Sequence, residues 1–244
     1  MTAPDHDPED ARPGPHANLR PRDAATLILV DRSEATTPKV LVGRRHHGHV
    51  FLPGKIVFPG GRVDPTDNRI PVAAPIAPAL ETLLTRGRRK LTPARARALA
   101  MAAIREACEE TGLCLGRRSD NPPASLNGPW RPFAEAGLLP DPSGLFFIAR
   151  AITPIGRVRR FDTRFFTADA SAIAHRVPGV VHADAELVEL AWIPLGSDPL
   201  SDLHPMTRKV LGVLERRLAE GPLSHDHPVP LFHFRKGVML TDIL

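Results

Sequence analysis

Three glutamates lie close together in the segment MAAIREACEETGLCLG, at Glu106, Glu109 and Glu110. Their spacings of three and four residues place all three carboxylates on one face of a helix. Like charges in this arrangement repel by about 0.2–0.5 kcal/mol per pair in an isolated helix. A divalent cation would compensate that repulsion, so the spacing predicts a metal site.

A long helix is predicted to carry these glutamates. Thr92 is a suitable N-cap, Pro93 occupies the favoured first helical position, and Gly112 stands where a left-handed C-cap belongs. The residues between them are rich in Ala, Arg, Leu and Glu, which are good helix formers. The three carboxylates therefore fall in the last two turns of the helix.

Strand-like runs flank the helix on both sides. We predict strands over DAATLILV, PKVLVGRR and KIVFPGG before it, and over GLFFIARAIT, RFDTRFFTA and ELVELAWIP after it. The segment IAPALETLLTRGRRK favours a short helix ending near Gly87, and another is expected from Pro132. The amphipathic segment HPMTRKVLGVLERRLAE predicts a closing helix, and PLFHFRKGVML a last strand.

Composition narrows the functional classes. The chain has 244 residues, 42% hydrophobic and 24% charged, as in an ordinary globular protein. No apolar run approaches the roughly 18 residues that span a bilayer, and the proline-rich segment 1–21 is expected to be a disordered tail rather than a signal peptide. We therefore expect no membrane partner and a cytoplasmic location. The two cysteines form no disulfide framework, and Cys108 is expected to be a buried, inert thiol.

The net charge of +5 comes mostly from scattered arginines. Arginine binds phosphate well because its planar fork donates two hydrogen bonds at once. No RNA-binding aromatic signature accompanies these charges. A phosphorylated small molecule is thus a better partner than a nucleic-acid polymer, and the sequence is compatible with a homodimer.

The run Arg105–Leu113 has the form R-E-U-x-E-E-x-G-U, where U is apolar. It resembles the core of the Nudix box, G-x5-E-x7-R-E-U-x-E-E-x-G-U. The opening glycine matches Gly61, but Asp67 stands where the family has glutamate, and 37 residues (68–104) replace the usual seven. Lengthening this link costs on the order of 1.5 kcal/mol of loop-closure entropy, which a packed insertion could offset.

A box split by an insertion resembles one branch of the Nudix family, the peroxisomal coenzyme A diphosphatases of animals and their bacterial relatives. The segments FLPGKIVFPGGRVDPTD and ITPIGRVRRFDTRFF are similar to that branch. The resemblance implies an α/β/α sandwich with a mixed sheet, formed by a Nudix domain over 22–222 with an insertion at about 68–98 and an extension over 223–244. We expect that deleting roughly residues 70–90, within this insertion, would alter substrate preference more than stability.

The resemblance also implies hydrolysis of a diphosphate, with coenzyme A or its acyl esters as leading substrates and Mg²⁺ or Mn²⁺ as cofactor. ADP-ribose or a dinucleotide such as NADH is the main rival substrate. Outside the enzyme class, the alternative function is a binding module that senses a nucleotide without cleaving it. Because unrelated substrates are used on one fold, fold-level analogy does not decide among them.

Residue roles follow from the same resemblance. Glu109 and Glu110 are expected to bind the metal, with Glu106 as a further ligand or as the base for the attacking water. A carbonyl near Gly60 could complete the coordination, and Gly61 lets the chain pass close to metal and phosphate. Arg105 precedes Glu109 by four residues and is expected to orient it.

Residues outside the box are further candidates. Glu186 and Glu189 are alternative bases, and the sequence does not rank them against Glu106. Arg44 and Arg160 are candidate substrate contacts. Their alternatives are a strand end for Arg44 and a solvated basic turn for Arg160.

Overall fold

The computed structural model describes residues 19–34, 37–48, 53–86, 91–122, 126–157, 159–197, 203–235 and 237–244. The expected disordered tail over 1–21 lies outside these ranges except for 19–21. The strands are β1 (Arg22–Asp31), β2 (Lys39–Arg45), β3 (Ile56–Val57), β4 (Gly60–Arg62), β5 (Leu113–Arg118), β6 (Leu138–Pro140), β7 (Phe146–Ile152), β8 (Phe161–Asp169), β9 (Ile173–Arg176), β10 (Leu187–Pro194), β11 (Pro230–Arg235) and β12 (Val238–Ile243). The helices are α1 (Pro78–Thr85), α2 (Pro93–Thr111), α3 (Arg131–Glu135) and α4 (Pro205–Glu220).

A large mixed sheet runs through the molecule in the order β10-β2-β1-β8-β7-β11-β12. The pairs β1–β8 and β7–β11 are parallel, and the other neighbours in this order are antiparallel. Strands β3 and β4 pair with β2 and β1 outside this path. A second, three-stranded sheet has the order β6-β5-β9.

Alternating side chains on β1 build the two cores. Leu27 and Leu29 pack with α1 and α2 in one core, whereas Ile28 and Val30 pack with α4 in the other. Because successive strand residues point to opposite faces, this alternation places a helical layer on each side of the sheet. The fold is an α/β/α sandwich with a mixed sheet, as predicted.

Helix α2 has the predicted bounds. The Thr92 hydroxyl accepts a hydrogen bond from the Arg95 amide, Pro93 is the first helical residue, and Gly112 ends the helix in the left-handed conformation at φ 74°. Its inner face is lined mostly by alanine, so the helix lies close against β1. This close packing brings the second half of α2 beside β4.

The insertion between β4 and α2 is part of the main core, contrary to our expectation. Its helix α1 buries Leu80, Leu83 and Leu84 in the same cluster as α2. The Arg97 guanidinium also donates to the carbonyls of Asn68 and Ile70. Removing the segment would uncover that cluster, so we assign the insertion a structural role.

Three sequence predictions differ in detail from the structure. KIVFPGG forms two short strands, β3 and β4, and PLFHFRKGVML forms the β11–β12 hairpin rather than one strand. The expected helix near Gly87 ends at Thr85, and 87–90 lie outside the described residues. None of the described helices combines the length and the apolar character needed to cross a membrane.

Candidate metal and active site

The glycine turn of β4 meets the acidic face of α2. The Gly60 amide donates to Glu110 Oε2 at 3.1 Å. A Cβ at Gly61 would collide with the Glu106 carboxylate, and one at Gly60 would lie 2.6 Å from the Ala25 carbonyl oxygen. Glycine is required at both positions because the strand passes between β1 and α2 with no room for a side chain.

Arg105 forms hydrogen bonds to Glu106 and Glu109 on the same helix. Its Nε and Nη2 donate to the two oxygens of Asp67 at 2.8 and 3.2 Å. Its Nη1 donates to Glu106 Oε1 at 2.7 Å and to Glu109 Oε2 at 2.6 Å. One guanidinium thus fixes two of the three glutamates while leaving the second oxygen of each without a bond to it.

Asp67 stands where the Nudix box has a glutamate, and its side chain is one methylene group shorter. It is fully buried, and it also accepts from the Asp64 amide at 2.8 Å, which closes a tight loop after β4. Arg105 Nη2 in turn donates to the Arg62 carbonyl at 2.7 Å. These bonds hold the end of β4 and the loop after it close to α2, so the shorter side chain of Asp67 reaches Arg105.

The acidic face is electrostatically strained. Burial raises the pKa of Glu106 to about 7, although the charge and hydrogen bond of Arg105 oppose the shift. Burial also raises the pKa of Glu110 well above its ordinary value, and the nearby charges of Glu186 and Glu106 add to the effect. Buried carboxylates that lack enough positive charge are typical of metal and catalytic sites.

Glu186 and Glu189 have different surroundings. Glu186 interacts electrostatically with both Glu106 and Glu110, and it accepts from Arg45 Nη2 at 2.6 Å. Glu189 lies on β10 with 66% of its side chain exposed, and its nearest cation is Arg44 at 3.4 Å. Of the two, Glu186 is the one whose charge is among the main causes of the raised pKa values of Glu106 and Glu110.

Comparison with known proteins identifies the fold. No protein-family model matches the chain. A Nudix hydrolase from Alicyclobacillus acidocaldarius is similar in structure, with 27% identity, a TM-score of 0.56, and coverage of 85% of this chain and 100% of that one. The chain has the Nudix hydrolase fold. This similarity supports a Nudix diphosphohydrolase.

Two other solved structures are less similar. RenU, a Nudix hydrolase from M. smegmatis, has 20% identity and a TM-score of 0.44, with coverage of 83% of this chain and 89% of that one. The Nudix domain of Shewanella oneidensis NrtR, solved in complex with ADP-ribose, has 16% identity and a TM-score of 0.46, with coverage of 87% and 99%.

The donor set of this Nudix site suits a hard divalent cation. Mg²⁺ and Mn²⁺ prefer carboxylate oxygens, and Mg²⁺ keeps several waters and commonly uses only one or two carboxylates. Within the described ranges, no three carboxylate, imidazole or thiolate groups already converge as ligands of one ion. Arg105 Nη1 binds one oxygen of Glu106 and one of Glu109, so these two carboxylates lie near each other. They do not surround a position that an ion could occupy.

The two arginines predicted to contact substrate have protein partners. Arg44 Nη1 donates to the Gly54 carbonyl at 3.2 Å, and its Nε faces Glu189. Arg160 donates to the carbonyls of Thr153 at 3.1 Å and Leu19 at 2.6 Å. These bonds connect the loop before β8 to the residues that precede β1, which gives Arg160 a structural role.

Sequence reasoning missed two contributors to the site. Asp67 was noted only as a departure from the family pattern, yet it is the buried partner of Arg105. Arg45 was not singled out, although its charge opposes the raised pKa of Glu110 and its Nη2 binds Glu186. The alternating burial of β2 did not indicate which of its two final arginines faces α2.

The expectation of an inert Cys108 thiol was wrong. Cys108 in α2 forms a disulfide with Cys114 in β5, with their Cα atoms 4.6 Å apart. The left-handed Gly112 between them ends the helix and turns the chain back, which brings the second cysteine beside the first. The bond therefore links the end of α2 to β5, the strand that follows it.

Proposed function

We propose that the protein hydrolyses the diphosphate of nucleoside-diphosphate-linked substrates with Mg²⁺ or Mn²⁺. The observation that carries this proposal is the contact of the Gly60–Gly61 turn with the buried carboxylates of Glu106 and Glu110. A cation at this place would lie beside a backbone turn whose glycines let the chain pass close to the metal and the phosphate. When bound, it would neutralise the phosphate charge and polarise the phosphorus–oxygen bonds.

Glu109 and Glu110 are the proposed metal ligands, with Glu106 as a third ligand or as the base. The raised pKa values of Glu106 and Glu110 mean that both carboxylates favour a proton or a cation over an isolated charge. Arg105 positions Glu106 and Glu109 from one side, so their remaining oxygens can turn toward the ion. Asp67 keeps Arg105 in place.

Glu186 is the better candidate than Glu189 for a base outside the box. It approaches the same acidic face from the loop before β10, and Arg45 holds one of its oxygens at 2.6 Å. A carboxylate needs to lie within hydrogen-bond reach of the attacking water, either directly or through a second water. The charge of Glu186 is among the main causes that raise the pKa of Glu106 and Glu110.

Coenzyme A or acyl-coenzyme A is the proposed substrate, on the strength of the resemblance to the branch with a split box. ADP-ribose or an NADH-type dinucleotide is the alternative within the enzyme class, and ADP-ribose is the ligand present in the NrtR structure. A nucleotide-sensing module without catalysis is the alternative from another class. The intact Glu106, Glu109 and Glu110 favour catalysis over sensing.

A screen of diphosphate compounds tests this proposal. Coenzyme A, acetyl-coenzyme A, ADP-ribose and NADH are incubated with the protein and either Mg²⁺ or Mn²⁺, and products are identified by mass. We expect two phosphorylated products from coenzyme A, and none without metal. Binding of a nucleotide with no turnover under any metal would instead establish the sensing module.

A further inference from the structure

Arg45 lies at the end of β2, next to the acidic face of α2. Leu41, Gly43 and Arg45 point to one face of β2, because side chains alternate along a strand. Leu41 on that face packs in the same core as α2, so the side chain of Arg45 projects toward the helix. It is 12% exposed, and its charge opposes the increase in the pKa of Glu110 that burial mainly causes.

The backbone around Arg45 fixes the position of Glu186. The His46 amide donates to the Glu186 carbonyl at 3.1 Å, and Leu187, the first residue of β10, pairs with Arg45. The Arg45 amide donates to the Lys55 carbonyl at 3.0 Å, which also joins this end of β2 to the residue before β3. Pairing within the sheet therefore holds the side chains of Arg45 and Glu186 near each other.

The contact between these two side chains leaves one carboxylate oxygen open. Arg45 Nη2 donates to Glu186 Oε1 at 2.6 Å, whereas Arg45 Nε is buried and has no hydrogen-bond partner among the described residues. Glu186 Oε2 accepts no hydrogen bond from those residues either, and 43% of the Glu186 side chain is exposed. One oxygen of Glu186 is thus bound by a guanidinium, and the other is accessible to water.

The position of Glu186 beside the acidic face permits two roles. A carboxylate there can bind a hard divalent cation directly, or it can stay outside the coordination and accept a proton from a water. The pKa values of Glu106 and Glu110 are raised mainly by burial, and the charge of Glu186 adds to both. Glu186 is therefore close enough to compete for the cation, and its interaction with Arg45 decides between the roles.

We infer that Arg45 keeps Glu186 out of the coordination of the cation and reserves it for the attacking water. The inference rests on the proposed function, in which Glu109 and Glu110 bind the cation and Glu186 is the base outside the box. A charge-assisted hydrogen bond is stronger than a neutral one, and Glu186 Oε1 would have to give it up to bind the ion. Arg45 is thus a positioning residue, which acts through Glu186.

Mn²⁺ binding without substrate tests the inference. Mn²⁺ is titrated into the unmodified protein, Arg45→Gln, Glu186→Gln and the double variant, and free Mn²⁺ is followed by electron paramagnetic resonance. We expect Arg45→Gln to bind Mn²⁺ at least about tenfold more tightly, because Glu186 becomes a further ligand. In the Glu186→Gln background, the gain from the same substitution should be smaller by at least about threefold. Unchanged or weaker binding by Arg45→Gln, or an equal gain in the two backgrounds, would overturn the inference.

Glu186→Gln by itself provides a test that needs no change at Arg45. Because Glu186 is not a ligand in the unmodified protein, this variant should weaken Mn²⁺ binding less than Glu110→Gln does. It should still lower kcat, since the base is lost. Weakening as large as that in Glu110→Gln would place Glu186 in the coordination and overturn the inference.

Turnover should change in the opposite sense to affinity. Arg45→Gln should lower kcat by about 10–100-fold with little change in the KM of the substrate, although it binds Mn²⁺ more tightly. Arg45→Lys, which keeps the charge and a donor, should restore part of kcat and bring the Mn²⁺ affinity back toward that of the unmodified protein. A residue that only supported the fold would show no such opposition. Arg216→Gln, at an exposed position of α4 in the opposite helical layer, has the same change in charge and should alter neither quantity.

Failure of the proposed function has a different signature. If the unmodified protein shows no saturable Mn²⁺ binding, the metal site is rejected and the inference with it. If Mn²⁺ binds but none of the diphosphate compounds is hydrolysed, the affinities of the four proteins decide the role of Arg45 without kinetics. Saturable binding and turnover that Arg45→Gln leaves unchanged would reject the inference alone.

Discussion

Two groups of charged side chains lie in this protein, and their positive and negative charges are balanced differently. In the paired network, Arg150 forms two 2.7 Å hydrogen bonds to Asp162, and Arg164 binds Asp23 at 2.7 Å and Asp162 at 3.1 Å. In the acidic cluster, carboxylates outnumber the guanidinium groups that contact them. The cluster consists of Asp67, Glu106, Glu109, Glu110 and Glu186, with Arg45 and Arg105 as its cations.

The difference separates a structural arrangement from a functional one. A buried ion pair with matched partners holds strands together, and its loss is costly because one charge is left alone. A group of like charges that is partly buried, as Asp67 and Glu110 are here, destabilises the fold and is typical of sites where a ligand compensates it. In the proposed function the acidic cluster binds a cation, whereas the paired network joins β1, β7 and β8.

The largest expected effect comes from the acidic cluster. Glu109→Gln and Glu110→Gln should each lower kcat by about 10²–10⁴-fold, because several kcal/mol of charge stabilisation would be lost with the metal. The melting temperature should stay equal or rise, since one repelling charge is removed. Glu135→Gln, at an exposed position of α3, is the control. Full activity in both cluster variants would remove the metal assignment.

The paired network should respond in the opposite sense. Asp162→Asn should lower the free energy of unfolding by about 3–5 kcal/mol, because Arg150 and Arg164 would remain buried beside a neutral side chain. Urea denaturation measures this change, and kcat per folded molecule should be preserved. Glu135→Gln, which breaks an exposed ion pair with Arg131, should shift stability by less than about 1 kcal/mol. Equal shifts in the two variants would contradict the comparison.

Substitution of Asp67 should affect both catalysis and stability, because Asp67 is the buried ion-pair partner of Arg105. Asp67→Asn should lower kcat by about 10–100-fold, as expected for a residue that orients ligands through a neighbour. It should also destabilise the fold by about 1–3 kcal/mol, because Arg105 loses its buried counter-ion. Paired kinetic and denaturation measurements check the two effects. Loss of stability with unchanged kcat would assign Asp67 to the paired, structural type.

The two groups should titrate in opposite directions in metal-free protein. The pKa of Glu106 rises from 4.5 to about 7, so the folded state holds more protons than the unfolded state in that window. Stability should therefore fall as pH rises from about 4.5 to 7, a loss of about 1–3 kcal/mol. Added Mg²⁺ should reverse this loss.

Asp23 of the paired network behaves in the contrary way. Its burial alone would raise the pKa, but the charges of Arg164 and Arg95 outweigh burial and hold the pKa below 3.8. Its contribution to stability is therefore present above pH 3.8 and is lost in more acid solution. Thermal melts across pH 2–8 would show the two losses, and a flat profile between pH 4.5 and 7 would contradict the raised pKa of Glu106.

Local sequence signals predicted helix α2 well. Thr92, Pro93 and Gly112 define its ends, and the spacing of the glutamates places them on one face whatever the tertiary fold. The strand-like runs that became β1, β2, β7, β8 and β10 were also recognisable because each combines length with β-branched or aromatic residues.

Features that depend on distant pairing were not predictable in this way. β5 and β9 pair with each other across a long stretch of chain, and neither is long or apolar enough to be recognised alone. The split of KIVFPGG into two strands follows from β2 and β4 sharing one edge of β1. In the site, the contact of Arg105 with Asp67 crosses the insertion, so spacing gave no sign of it.

Metal binding in the absence of substrate tests the central claim most directly. Mn²⁺ is titrated into the unmodified protein and into Glu110→Gln, and free Mn²⁺ is followed by electron paramagnetic resonance. The buried, under-compensated carboxylates predict a saturable site in the unmodified protein and at least about tenfold weaker binding in the variant. No saturable binding, or equal affinity in the two proteins, would show that the acidic cluster is not built for a cation.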